Sequence, residues 1–272
     1  MTSPIRIIIN GRDSNTLSVL DRAVQFGDGV FETLAVMDGV AEFLAAHLAR
    51  LRQGCERLGI PVPDLVRLRK ECNELLKGIP LASLKIIVTR GQGGTGYACP
   101  REPEPTVILI LRPWEGRGQI QQRRARIGVA SITVSRQPAL AGIKHLNALE
   151  QVLASRECQK HDWDECLRLD DQGYVVEGCR TNVFMVKDGQ IFTPELKLYG
   201  IAGIMRQRVI QSAREMNIQV MEQPLRLQDF HSAEEVFLTN SLVGIWSVGQ
   251  LARKRYQSSD LTRCLGLAVQ GH

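Results

Sequence analysis

Ala141-Gly142-Ile143-Lys144-His145-Leu146-Asn147 sets one lysine in a short apolar loop between a strand-like run, residues 127–134, and a helix-like one, residues 149–158. Flanked by Ile143 and Leu146, this lysine is open to partial desolvation. Desolvation disfavours the ammonium and leaves part of the population as free amine, the form that attacks carbonyls. Taken alone, the stretch also reads as a surface lysine at a helix N-terminus. What lies around it in the chain carries the choice.

Downstream, residues 165–169 and 174–184 are β-rich, and Glu177 sits in the second run, where a carboxylate needs a partner. Gly200-Ile201-Ala202-Gly203-Ile204-Met205-Arg206 leads into a helix with the stripe Met205, Val209, Ala213 and Met216. A glycine loop entering a helix exposes unpaired N–H groups that suit a phosphate. Residues 235–238 form a strand ending in Thr239-Asn240-Ser241, and a last helix is expected over 259–268. Upstream, residues 5–10 read as a strand, and 31–37 and 40–43 as a hairpin through the Asp38-Gly39 turn. Apolar positions 44, 48, 51, 55 and 58 form one stripe of a helix, on which His47 and Arg50 share another face, usually a solvated one.

Pro63-Asp64 opens a second helix with Leu65, Leu68, Cys72 and Leu75 on its apolar face. Two strand-like runs, 84–89 and 106–111, flank Arg90-Gly91-Gln92-Gly93-Gly94-Thr95-Gly96-Tyr97, which has no lysine in a phosphate-loop position. It reads as a mobile or substrate-facing loop rather than a nucleotide cradle. The stretch 113–118 has linker character, so two α+β halves are expected, 1–115 and 122–272, joined by 116–121.

Composition narrows the class. The chain has 272 residues, 44% hydrophobic and 23% charged, long enough for two modest domains, with no apolar run of membrane-spanning length and no secretory cleavage site near the N-terminus. Seven cysteines form no C-x-x-C pair, so neither a disulfide framework nor a metal site is expected, and a reducing cytoplasm fits. The net charge of +5 is not gathered into a basic block of the kind nucleic acid needs, and it favours anionic small molecules instead.

An activated lysine, a strand carboxylate, a glycine-led helix start, a strand-end serine and an arginine on the first long helix together match what pyridoxal phosphate requires. These are an amine for a Schiff base, an anion for the pyridine nitrogen and donors for the phosphate. The segments 21–33, His47-Leu48-Ala49-Arg50-Leu51, 144–147, 177–184, Gly203-Ile204-Met205-Arg206 and 238–241 resemble, in unbroken order, the class IV (fold type IV) pyridoxal-phosphate enzymes. That family includes branched-chain and D-amino-acid aminotransferases and aminodeoxychorismate lyases. The resemblance implies an α/β fold with a smaller N-terminal and a larger C-terminal domain, the cofactor between them, and a homodimer. It makes Lys144 the Schiff-base lysine and Glu177 the partner of the pyridine nitrogen, and assigns the phosphate to Arg50, Ile204, Met205 and Ser241.

Within the family, Lys144-His145-Leu146-Asn147 followed by Leu149-Glu150-Gln151-Val152-Leu153, with Ser135-Arg136-Gln137-Pro138 upstream, is similar to the lyase branch. This likeness implies aminodeoxychorismate as substrate, 4-aminobenzoate and pyruvate as products in folate biosynthesis, and functional coupling to a synthase partner. Asn147, His145, Tyr97 and Thr33 are the expected substrate-side residues. The class IV aminotransferases, D-amino-acid or branched-chain, are the alternative. Two positions depart from the lyase pattern: Thr95 and Ala148 stand where arginines are usual.

Overall fold

The computed structural model describes residues 5–257 and 260–269 and forms two compact units, Met1–Gly116 with Ile143–Asn147, and Arg117–Gly142 with Ala148–His272. The lysine stretch is therefore contiguous in space with the first unit, although most of the chain on either side of it belongs to the second.

In the first unit the elements are β1 (Arg6–Ile9), β2 (Arg12–Asp13), α1 (Arg22–Phe26), β3 (Gly29–Met37), β4 (Val40–Ala41), α2 (Leu44–Leu58), α3 (Leu65–Leu76), β5 (Leu81–Thr89) and β6 (Thr106–Pro113). The strands make one antiparallel sheet ordered β2-β1-β6-β5-β3-β4. Alternation along β3 and β5 sends Val30, Leu34, Leu84 and Ile86 to one face, where they pack with Leu48, Leu51 and Cys55 of α2 and Leu68, Cys72 and Leu75 of α3. The Asp38-Gly39 turn has both residues at positive φ, as a two-residue hairpin needs. Asp64 caps α3 by accepting from the N–H groups of Val66 and Arg67.

The second unit contains α4 (Arg117–Gln121), β7 (Ala125–Val129), α5 (Leu149–His161), β8 (Glu165–Leu169), β9 (Tyr174–Gly178), β10 (Asn182–Lys187), β11 (Gln190–Thr193), α6 (Ile204–Glu215), β12 (Val220–Glu222), β13 (Leu225–Arg226), α7 (Leu227–Ser232), β14 (Glu235–Asn240), β15 (Gly244–Leu251), β16 (Lys254–Arg255) and α8 (Asp260–Ala268). The sheet runs β12-β11-β10-β14-β15-β7-β8-β9-β13, with parallel pairs at β15–β7, β7–β8 and β11–β12. Its core gathers Ile127, Leu167, Val183, Phe230, Leu238, Trp246 and Val248.

Two expectations are corrected, and a third reaches outside the described residues. The strand expected over 127–134 ends at Val129; beyond it the chain still runs beside β8, but only the N–H groups of Ala130 and Val134 reach carbonyls there, those of Leu167 and Leu169. Residues 116–121 are not an open linker, because 117–121 are the helix α4, whose Gln121 amide donates to the carbonyls of Val243 and Ile245 at 2.7 and 2.9 Å. The last helix is described over Asp260–Ala268, as expected, and Ser259 lies outside the described residues.

Candidate active site

In the first unit the lysine is placed by backbone pairing on the edge of β3. The N–H of Phe31 donates to the Lys144 carbonyl at 2.9 Å, the N–H of Leu146 donates to the Gly29 carbonyl at 3.0 Å, and His145 bridges Val30. Ile143 anchors the segment in the core. The loop thus behaves as a fragment of an added strand, and the Lys144 side chain lies over Phe31 with Nζ 4.5 Å from the ring centroid. Lys85 of β5 approaches the same ring at 4.5 Å. Phe31, Thr33 and Lys85 are half-buried and share the sheet face opposite the two long helices.

The other face carries a charged group that sequence reasoning missed. Glu32, 1% exposed, accepts from Arg50 Nε at 2.8 Å and Nη2 at 2.5 Å, and its Oε2 lies 2.6 Å from His47 Nδ1. Burial pushes the Glu32 carboxyl up, but the hydrogen bonds from Arg50 and His47 and the charge of Arg50 outweigh it and hold the group below the usual carboxylate range. His47 is lowered, first by burial, against the pull of Glu32 and with the charges of Arg50 and Lys144 adding to the lowering. Arg50 is therefore no solvated-face arginine: its side chain is 10% exposed and held in a two-point pair. The available signal was Glu32 itself, an acid in phase with Val30 and Leu34 on the buried face of a strand.

The glycine loop expected to be mobile or substrate-facing is organised by a buried arginine. Arg22 donates through Nη1 to the carbonyls of Gly93, Gly96 and Ala98 at 3.2–3.4 Å and through Nη2 to that of Tyr97 at 3.3 Å, while its Nε meets Asp28 at 2.9 Å. Arg90 donates through Nε to the same Asp28 oxygen at 2.7 Å and through Nη2 to the other at 3.1 Å. Tyr97 is 86% exposed with its ring 5.4 Å from that of Phe26, and Thr95 is exposed. Asn147, also exposed, donates through Nδ2 to the Gly27 carbonyl at 3.1 Å.

In the second unit, Glu177 on β9 faces Arg168 across the β8–β9 ladder. Arg168, fully buried, donates through Nη2 to Glu177 Oε1 at 3.1 Å, and the N–H of Ile201 donates to Oε2 at 2.8 Å. Arg168 is the partner that the strand position of Glu177 demanded, and its place between Leu167 and Leu169 was the legible sign. Gly200 makes the Ile201 contact possible: its φ is +76° and a Cβ there would meet Leu196 at 2.8 Å.

Ile204 and Met205 open α6 behind Gly203, whose backbone is extended and which makes no side-chain cap. A Cβ on Gly203 would fall 2.1 Å from Asn182 Oδ1. Asn182 is paired with Thr239 between β10 and β14, and Thr239 Oγ1 is buried with no hydrogen-bond partner among the described residues. Ser241 follows in the turn after β14, half-buried.

Residues 29–251 match the family described as Amino-transferase class IV. The chain is 33% identical to aminodeoxychorismate lyase of Vibrio harveyi, covering 90% of each, and 34% identical to a putative branched-chain-amino-acid aminotransferase of Methanocaldococcus jannaschii, covering 96% of this chain and 94% of that one. The crystal structure of 4-amino-4-deoxychorismate lyase from Pseudomonas aeruginosa superposes with a TM-score of 0.92 at 39% identity, covering 97% of this chain and 98% of that one.

Enzymes of this family depend on pyridoxal phosphate, and the donor set fits that group. A side-chain amine sits on a backbone-paired loop, and a buried carboxylate is fixed at both oxygens. An uncapped helix start adjoins a strand pair carrying a buried hydroxyl without a partner among the described residues. By matched length, fold and donor chemistry, the chain belongs to the class IV aminotransferase family of pyridoxal-phosphate-dependent enzymes.

Proposed function

We propose that the chain is an aminodeoxychorismate lyase, converting 4-amino-4-deoxychorismate to 4-aminobenzoate and pyruvate, and that it works as a homodimer. The observation that carries this reading is the full-length likeness to the Pseudomonas aeruginosa lyase, at 39% identity, joined to Lys144-His145-Leu146-Asn147. Bound pyridoxal phosphate supplies an electrophilic carbonyl and an electron-accepting ring. Lys144 provides the amine that anchors it and, once released, the base. Glu177, kept anionic and oriented by Arg168 and the Ile201 N–H, favours a protonated pyridine nitrogen. Arg50, oriented by Glu32, the first N–H groups of α6 at Ile204 and Met205, and Ser241 take the phosphate.

Lys144 Nζ removes the proton from the substrate ring carbon that bears nitrogen. The carbon–oxygen bond to the enolpyruvyl group then breaks, the departing enolpyruvate takes up a proton to become pyruvate, and the ring becomes aromatic. Aromatisation makes the step hard to reverse, and the nitrogen stays on the product. Asn147, His145, Tyr97 and Thr33 are the substrate-side residues of this proposal, and a synthase that hands on the unstable substrate is its natural partner.

A class IV aminotransferase is the second reading, favoured by the 34% identity to the Methanocaldococcus jannaschii relative over 96% of this chain. One assay separates them. Purified enzyme given aminodeoxychorismate without any keto acid should release 4-aminobenzoate and pyruvate in equal amounts. If no aromatic amine forms and turnover needs both an amino donor and a keto acid, the aminotransferase reading replaces the lyase.

A further inference from the structure

The second unit holds a cluster of donors that the cofactor chemistry does not use. Cys158 lies on α5, Glu165 and Cys166 on β8, and Cys179 in the turn after β9; one ligand atom from each lies within 4.8 Å of the other three, and all four residues are buried. Their positions, 158, 166 and 179, carry no metal-binding spacing, which is why the cysteines looked unremarkable along the chain. We propose that the three thiolates, with a carboxylate oxygen of Glu165, form a binding site for one thiophilic divalent cation of the zinc type.

The geometry is close to what such an ion needs. Zinc–sulfur bonds of about 2.3 Å in a tetrahedron set sulfur–sulfur edges of about 3.8 Å, so the observed spread of at most 4.8 Å closes with a contraction of about 1 Å or less. A disulfide would instead bring one pair to about 2.0 Å and leave the third thiol over.

The surroundings are built to hold these positions. Glu165 Oε1 accepts from the backbone N–H groups of both Cys166 and Cys179 at 2.9 Å, fixing two ligand-bearing residues to one carboxylate. Its Oε2 has longer contacts, the Arg180 N–H and Thr181 Oγ1 at 3.3 Å and Arg180 Nε at 3.6 Å, and the carboxyl also faces the Cys179 thiol, the side a cation would occupy. Ala130, Ala154, Ile132 and Trp163 complete an apolar shell.

Charge favours the same conclusion. A fully buried carboxyl beside three thiols is costly to desolvate, and a divalent ion offsets that cost. Each thiol that coordinates gives its proton to solvent, and three thiolates with one carboxylate around zinc carry the same net charge as the common four-cysteine sites. Cys55 and Cys72 show the ordinary alternative: buried in the first unit's core, their thiols are pushed up to about 12, chiefly by desolvation, and act as small apolar side chains.

The test uses the pyridoxal-phosphate-loaded enzyme with the two exposed cysteines replaced, C99S/C264S. After reduction and removal of metals by a chelator, it is given Zn²⁺ or Cd²⁺ and desalted. One equivalent per chain should be retained, with the ultraviolet thiolate-to-cadmium charge-transfer band, slowed alkylation of Cys158, Cys166 and Cys179, and a raised thermal midpoint. Adding C158S, on the helix side of the cluster, should abolish retention. Because a serine there can disturb folding, the alkylation map of the unaltered cluster stands as an independent readout. Retention of well under one equivalent with all three thiols reduced overturns the proposal, as does undiminished retention in C158S or alkylation unaffected by metal.

Discussion

Replacing Glu32 by glutamine tests whether the buried group beneath β3 is a working part of the fold and the site. Glu32 accepts both Arg50 nitrogens and faces His47 at 2.6 Å, so the change removes the anion from a guanidinium that is only 10% exposed. Gln can still accept one bond from Arg50 through its carbonyl oxygen. Its amide nitrogen, however, is a donor set against the second Arg50 donor. Removing one partner of a buried pair costs about 3–5 kcal/mol, and the residual exposure of Arg50 places this case near ~3 kcal/mol. At about 2–4 °C per kcal/mol for chains of this order of size, the thermal midpoint should fall by roughly 6–12 °C.

The measurement is thermal unfolding followed by circular dichroism at pH 7 on the cofactor-free protein, since bound cofactor would add its own stabilisation. His47, lowered chiefly by burial, contacts Glu32 Oε2 at 2.6 Å, so the change at this contact is part of the measured difference. A pyridoxal-phosphate titration of the same variant should show weaker binding, because an Arg50 released from Glu32 no longer holds one direction. A midpoint within about 2 °C of the parent, no more than ~1 kcal/mol would produce, would refute the reasoning. Normal cofactor affinity with a lowered midpoint would confine Glu32 to a structural role.

Four further outcomes are expected. K144A should lose steady turnover while unfolding within about 1 kcal/mol of the parent, since the backbone pairing to β3 survives the loss of the side chain; near-normal turnover would remove the central assignment. E177Q should slow turnover strongly and lower stability by up to about 3 kcal/mol, because fully buried Arg168 loses its nearer anion and keeps Glu150 at 3.4 Å; full activity with cofactor bound would take Glu177 out of the reaction. Asp28 is pushed up by burial but held below its ordinary 3.8 by Arg90 and Arg22, so its contribution is present above that pH and lost as pH falls through the lower folded value. The stability gap between parent and D28N should therefore narrow in acid, and a gap that is flat with pH would contradict the pairing. T95R restores a positive charge on an exposed loop position whose backbone is tied down independently by Arg22, so KM for aminodeoxychorismate should fall with kcat little changed; an unaltered KM would show that position 95 does not meet a substrate carboxylate.

Much of this was legible because local rules govern it. The Asp38-Gly39 turn, the Asp64 cap and the stripes of α2 and α3 depend on residues a few positions apart, and the sequence states such patterns directly. What was hidden depends on pairings between distant strands and helices. Residues 143–147 join β3, more than a hundred positions earlier, through hydrogen bonds that leave no mark on side-chain pattern. Cys158, Cys166 and Cys179 meet only once α5 packs on β8 and the chain turns after β9.

Between these extremes lie charges written on apolar faces. Glu32 is in phase with Val30 and Leu34, and Arg168 stands between Leu167 and Leu169 opposite Glu177. Burying either charge without a partner would cost several kcal/mol, comparable to a substantial fraction of a domain's whole stability, so each position required a counter-charge before any coordinates were known. Those counter-charges are Arg50 for Glu32 and Glu177 for Arg168, two of the residues proposed to hold the cofactor. Two buried ions, Glu32 and Arg168, thus orient residues proposed to hold the cofactor. A search for ionic residues in phase with an apolar strand face would have found Glu32, whereas Arg168 alternates with Leu167 and Leu169 and is marked only by its place inside a buried strand.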